Sequence, residues 1–150
     1  MKNKFLLILI PPESGYKNEI KKHLEERGIE VKDFGITELH SVDYPNIALT
    51  VARAVASGEC EKGILVCGTG IGMSIAANKV KGIRAAVCSD HFSAKYTRLH
   101  NDANILLPMS SFVGVLHIGK ARNIYPETFL RGTLKGLHRA VRCIIFRLIR

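Results

Sequence analysis

The run Gly63-Ile-Leu-Val-Cys67 is apolar throughout and passes straight into Gly68-Thr-Gly-Ile-Gly72. Such a run leaves no polar side for water, so it predicts a strand buried on both faces, as in a parallel sheet. The glycines predict a loop over 68–72, because they let the backbone turn tightly and approach a ligand closely. Residues from Met73 to Lys79 predict a helix. A buried strand, a glycine loop and a helix in that order point to the α/β class.

The rest of the chain alternates in the same way. Residues 4–10 read as a strand, 15–28 as a helix stopped by Gly28, and 29–34 as a short alternating strand. Tyr44-Pro45 opens a helix with Ile47, Val51, Ala54 and Val55 on one face, closed by Ser57-Gly58. Residues 83–88 predict a strand, 93–99 a helix and 103–107 a strand. With 150 residues and no linker, repeat or low-complexity tract, one domain spanning 1–150 is expected.

Composition narrows the function classes. The longest apolar run, Phe5 to Ile10, is far too short to span a bilayer, and no secretory signal is expected. Cys60, Cys67, Cys88 and Cys143 form no C-x-x-C pair, so neither a zinc ribbon nor a disulfide scaffold is expected, and a cytoplasmic location is. The net charge of +9 is uneven: residues 1–97 carry +2 and residues 98–150 carry +7. Such a basic third is either a solvated face or a surface for phosphate, nucleic acid or a membrane.

Cys67 is the residue with a physical reason to be reactive. It stands where a strand ends and faces the start of a helix, whose free N–H groups and dipole stabilise a thiolate. A thiolate can serve as nucleophile or base. Cys60, Cys88 and Cys143 are expected to be small buried apolar residues. The glycine loop does not follow the first strand, as a dinucleotide site would require, and no Gly-Lys-Ser/Thr follows it, as a P-loop would require.

Four segments taken in order carry a family resemblance. They are Ser41-Val-Asp-Tyr-Pro45, Gly63 through Lys79, Gly82-Ile-Arg-Ala-Ala86 and His100-Asn-Asp-Ala-Asn-Ile-Leu106. Together they resemble the ribose-5-phosphate isomerase B family, which includes the galactose-6-phosphate isomerase subunits. The resemblance implies a Rossmann-like three-layer α/β/α sandwich with a five-stranded parallel sheet. It implies a homodimer or a dimer of dimers with sites at the subunit interface. It also implies interconversion of an aldose phosphate and a ketose phosphate without metal or cofactor. By the same resemblance Cys67 is the base that moves a proton between C1 and C2. Gly68, Gly70, Ile71, Gly72 and Ser74 surround the developing oxyanion. Thr69 and His100 help open the sugar ring, Asp43 and Tyr44 line the sugar site, and Asn101 holds a hydroxyl. Read from the residues alone, Tyr44 before Pro45 also fits the opening of a helix, and His100-Asn101 a helix C-terminal cap.

Two blocks depart from the family pattern. Pro12 and Glu13 stand where the family has an aspartate that contacts sugar and a histidine that helps bind phosphate. A glutamate there repels a phosphate dianion. After Leu106 the turn Leu107-Pro-Met-Ser-Ser-Phe-Val-Gly114 places Ser111 where the family has an arginine. Arg139 and Arg142 faintly echo the family's basic ending and are candidate phosphate ligands. Residues 134–150 also read as a basic amphipathic helix packed on a partner subunit rather than on a membrane. Abrupt breaks around an intact centre suggest either short reading-frame shifts in the coding sequence or a subunit relieved of phosphate binding. Resequencing the coding DNA separates the two, since a clean frame with these codons removes the first. The leading expectation is a sugar-phosphate isomerase. A non-catalytic or half-site subunit comes second. A nucleic-acid-binding module comes last, because no such motif is present.

Overall fold

In a computed structural model the structure describes residues 4–9, 16–34, 43–67, 69–89 and 91–108. The elements are β1 (Lys4–Leu9), α1 (Tyr16–Glu25), β2 (Glu30–Asp33), α2 (Tyr44–Ala56), β3 (Lys62–Val66), α3 (Ile71–Ala77), β4 (Ala85–Cys88), α4 (His91–Asn101) and β5 (Ile105–Pro108). All strand pairings are parallel, in the order β2-β1-β3-β5-β4. Parallel neighbours need crossover connections, and the helices supply them.

The elements follow from their residues. Every position of β3 is buried, as its apolar run requires. Gly63 and Leu65 face α2, and Gly63 is what allows that helix to come close. A Cβ on Gly63 would lie 3.0 Å from Val51 Cγ1 and 3.1 Å from Ile105 Cγ1. On α2 the buried residues are Ala48, Val51, Ala52, Ala54 and Val55, while Ile47 is only partly covered. They join Leu65, Met73, Ala77, Ile105 and Leu107 in one core. Cys60 and Cys88 are buried, as expected of small apolar residues.

Several boundaries differ from expectation. Helix α1 stops at Glu25 rather than 28, with Gly28 at φ +74° in the turn that follows. There the N–H of Gly28 donates to the Glu25 carbonyl and that of Ile29 to the Leu24 carbonyl. Strand β4 begins at Ala85 rather than 83. Helix α4 runs from His91 to Asn101, longer at both ends than the 93–99 expected. Helix α3 begins at Ile71, two residues earlier than expected. Residues 134–150, expected as a basic amphipathic helix, lie outside the described residues.

A polar network fixes the amino end of β4 and β5. The Arg84 guanidinium donates to the Asp102 carboxylate at 2.8 Å and to its backbone carbonyl at 2.8 Å. Arg98 donates to the same carboxylate at 2.9 Å and to the Ala103 carbonyl at 2.6 Å. Asn104 accepts from the Arg84 N–H and donates to the Gly82 carbonyl. Asp102 takes a left-handed φ of 48° at the turn from α4 into β5. On α3's far side, the Asn78 side chain accepts from the Ala85 N–H at 2.9 Å and donates to the Ala85 carbonyl at 2.8 Å.

The Arg98 hydrogen bond, then the charges of Arg98 and Arg84, hold the Asp102 carboxyl below the usual aspartate range. A depressed folded-state value means a stabilisation present at neutral pH and lost as pH falls through that value. Asp102→Asn keeps a residue that tolerates the left-handed turn. Its melting temperature should lie slightly below that of the parent protein at pH 7, and the gap should close as pH falls below about 4. A gap independent of pH in parallel melting curves would refute this assignment.

Candidate active site

The carboxyl ends of parallel strands are where α/β sheets gather functional groups. Here β3 ends at Val66, and Cys67 follows it half-buried, its inner side packed on the core. The chain then turns through Gly70, which takes a left-handed φ of +72° and stands as the N-cap of α3 without a side-chain cap bond. The first N–H groups of α3 therefore gain no acceptor from the side chain of their cap residue. Gly70 sits over the ends of the neighbouring strands. A Cβ there would be 3.4 Å from Leu107 Cβ and 3.4 Å from Val87 Cγ1.

The early start of α3 corrects the expected loop over 68–72. One left-handed residue, Gly70, is enough to turn the chain into the helix. Ile71 and Gly72 are helical, and the described part of the loop is Thr69-Gly70. Gly68 lies outside the described residues. Thr69 Oγ1 accepts a long hydrogen bond, 3.4 Å, from the Ile71 N–H. The Ser74 hydroxyl donates to the Ile71 carbonyl at 2.8 Å. That proton is turned back onto the helix, which departs from the expectation of a hydroxyl free to donate to an oxyanion.

Helix α2 contributes the opposite wall. Asp43 occupies its N-cap position, and Pro45 lies in the first turn, where its missing N–H costs nothing. The Asp43 carboxylate makes no cap bond and accepts from the Asn46 side-chain amide at 2.5 Å. Tyr44 is exposed, with its ring against Gly72. Tyr44 at the start of α2 therefore meets Gly72 in the first turn of α3.

His100 and Asn101 are not in this group. They close α4, at the amino end of the sheet, as the cap reading of these residues expects. Gly63 is level with Ile105 in the parallel pairing, and its N–H donates to the Asn104 carbonyl. Cys67 lies four residues further along β3, about 13 Å up the sheet at roughly 3.3 Å per residue. Within one chain His100 sits in the last turn of α4 and meets Tyr96, ring to ring at 5.0 Å. Arg139 and Arg142, with the whole second departure beyond Pro108, lie outside the described residues, as do Pro12 and Glu13.

Among the described residues, no group of three or more His, Cys, Asp or Glu side chains could hold a metal ion. No described helix is long and apolar enough to cross a membrane.

A parallel sheet with a cysteine and a glycine turn at its carboxyl edge defines an α/β chain built around a strand-end site. A family model described as Ribose/Galactose Isomerase matches residues 13–142, and the chain belongs to that family. It is 56% identical over 99 residues to ribose-5-phosphate isomerase B of Escherichia coli, a match covering 66% of this chain and 66% of that relative. The matched stretch thus spans just under two thirds of the relative's length. The structure is similar to that of the Clostridium thermocellum ribose-5-phosphate isomerase B, at 53% identity and a TM-score of 0.65, over 72% of this chain and 73% of that one. It is also similar to the Mycoplasma genitalium ribose-5-phosphate isomerase B with bound ribulose 5-phosphate. That likeness has 34% identity and a TM-score of 0.65, over 75% of this chain and 76% of that one.

Proposed function

We propose that this chain is an aldose–ketose isomerase interconverting ribose 5-phosphate and ribulose 5-phosphate, or a closely related sugar phosphate. The observation that carries the reading is Cys67 at the end of β3, beside a glycine turn that opens a helix, in a chain of the ribose/galactose isomerase family. The Cys67 thiolate removes the proton from C2 of the open-chain aldose. The electron pair moves into the C1–C2 bond, and the C1 oxygen gains the charge of an enediolate. Passage of the O2 proton to O1 and return of the carbon-bound proton from Cys67 to C1 give the ketose, with no net oxidation. Backbone N–H groups at the start of α3 face the developing charge. Thr69 assists ring opening, and Asp43 and Tyr44 line the sugar.

The remaining groups come from a second copy. A homodimer, or a dimer of dimers, brings His100 and Asn101 of one protomer to the Cys67 of the other, which reconciles their assigned roles with their place at the far end of the sheet. Arg139 and Arg142 serve the phosphate, and the C-terminal helical segment lies at the subunit interface. Residues 1–150 form one domain. Right-handed crossovers put α1 and α4 on one face of the sheet and α2 and α3 on the other, a three-layer Rossmann-like sandwich. The compartment is cytoplasmic.

An isomerase assay with ribose 5-phosphate and allose 6-phosphate tests the reading and the sugar length together. Turnover of one substrate supports the isomerase and identifies the chain length it accepts. A folded protein without turnover of either would favour a subunit that needs an intact paralogue to supply its phosphate ligands. Steeply salt-dependent nucleic-acid binding would favour the basic module instead.

A further inference from the structure

Gly72 lies in the first turn of α3, where a glycine is not needed for its backbone. It is helical and takes no left-handed φ, in contrast to Gly70. Alanine is the better helix former there. The space around it shows what the glycine accommodates. An ideal Cβ on Gly72 would lie 2.8 Å from Tyr44 Cε2, 3.0 Å from its hydroxyl and 3.1 Å from its Cζ. The phenol end of Tyr44, not its stem, rests on the bare Cα.

Tyr44 is 46% exposed, so its ring is a wall of the site rather than a filler of the core. It projects from the first residue of α2, and α2 packs directly against α3. Behind it lie buried residues of the shared core, Ala48 and Ala52 on α2 and Met73 and Ala77 on α3. At the open end, the Gly72–Tyr44 contact is where the two helices meet beside the glycine turn.

We propose that Gly72 is a positioning residue: its missing side chain seats the Tyr44 phenol against α3, and the phenol then sets the wall of the sugar site. On this account the missing side chain of Gly72 acts through Tyr44, while its N–H keeps its place at the start of α3. The inference rests on the isomerase reading only for the role of the wall. The contact between the residues stands apart from it.

The test is a cycle of four proteins: the parent chain, Gly72→Ala, Tyr44→Ala and the double variant. Each is measured for kcat and KM with the sugar phosphate it turns over, and for melting temperature. Gly72→Ala is expected to raise KM about tenfold with little change in kcat, the size of one lost binding contact. In the Tyr44→Ala background the same change should leave KM where it was. There it should also raise the melting temperature by about 2–4 °C through helix propensity, a gain cut or reversed when Tyr44 is present. An equal rise of KM in both backgrounds would mean that a ligand meets Gly72 directly, and the proposal falls. An equal change of melting temperature in both backgrounds would mean that the ring is not seated on Gly72, and it falls as well. If the parent chain has no turnover, the isomerase reading fails by itself, and the melting temperatures still decide the Gly72–Tyr44 contact.

Discussion

Replacing Cys67 with alanine should lower kcat for the sugar phosphate by about a thousandfold, the scale of removing a general base. The substitution deletes one sulfur from a half-buried position at the rim of the core. It should therefore leave the melting temperature within a few degrees of the parent protein. KM should change little, because the proposed contacts to the sugar come from Asp43, Tyr44 and the glycine turn. This combination separates chemistry from folding. Turnover kept within tenfold in a folded Cys67→Ala protein would assign the base to another group. Cys67→Ser should behave nearly as badly, since a hydroxyl remains protonated where a thiol can ionise.

Leu65→Ala should cost about 2–5 kcal/mol of stability, the usual range for deleting a fully buried leucine side chain. Leu65 has no exposed surface and sits on the central strand, facing the core shared with α2, α3 and β5. Its neighbours cannot all close the gap, because Gly63 already holds Val51 and Ile105 at close range on the same face. Denaturant unfolding with an unchanged m-value would read the loss directly. A loss under 1 kcal/mol would show that α2 and α3 collapse into the space. The site would be an indirect casualty, since β3 delivers Cys67 to its position.

These two residues also mark what could be read from the sequence. Leu65 and Cys67 belong to a run whose composition permits little besides a buried strand, so the run was legible without any partner. The turn at Gly70 was legible too, because a glycine at the end of such a strand marks a sharp change of direction. The helical state of Gly72 was not. Glycine is a poor helix former, and three glycines in alternate positions read naturally as one loop. Its reason for being glycine is a tyrosine 28 positions away in sequence, and only the packing of α2 on α3 brings the two together. His100 shows the complementary gap. Its cap position was legible from its neighbours, whereas the end of the sheet it occupies depends on strand order. The network of Arg84, Arg98, Asp102 and Asn104 drew no expectation, although an Asp-Ala-Asn stretch directly after a helix was its only local signal.

The amide of Asn78 has a further consequence. In the strand order, β4 stands at the end opposite β2. The Ala85 N–H and carbonyl, a pair that would invite an incoming chain, are both taken by that one side chain. A primary amide imitates the peptide group of an absent neighbour and occupies the first rung of the ladder. At this margin the first rung is thus filled by one side chain instead of a neighbouring strand. Its loss would open that rung to an incoming chain.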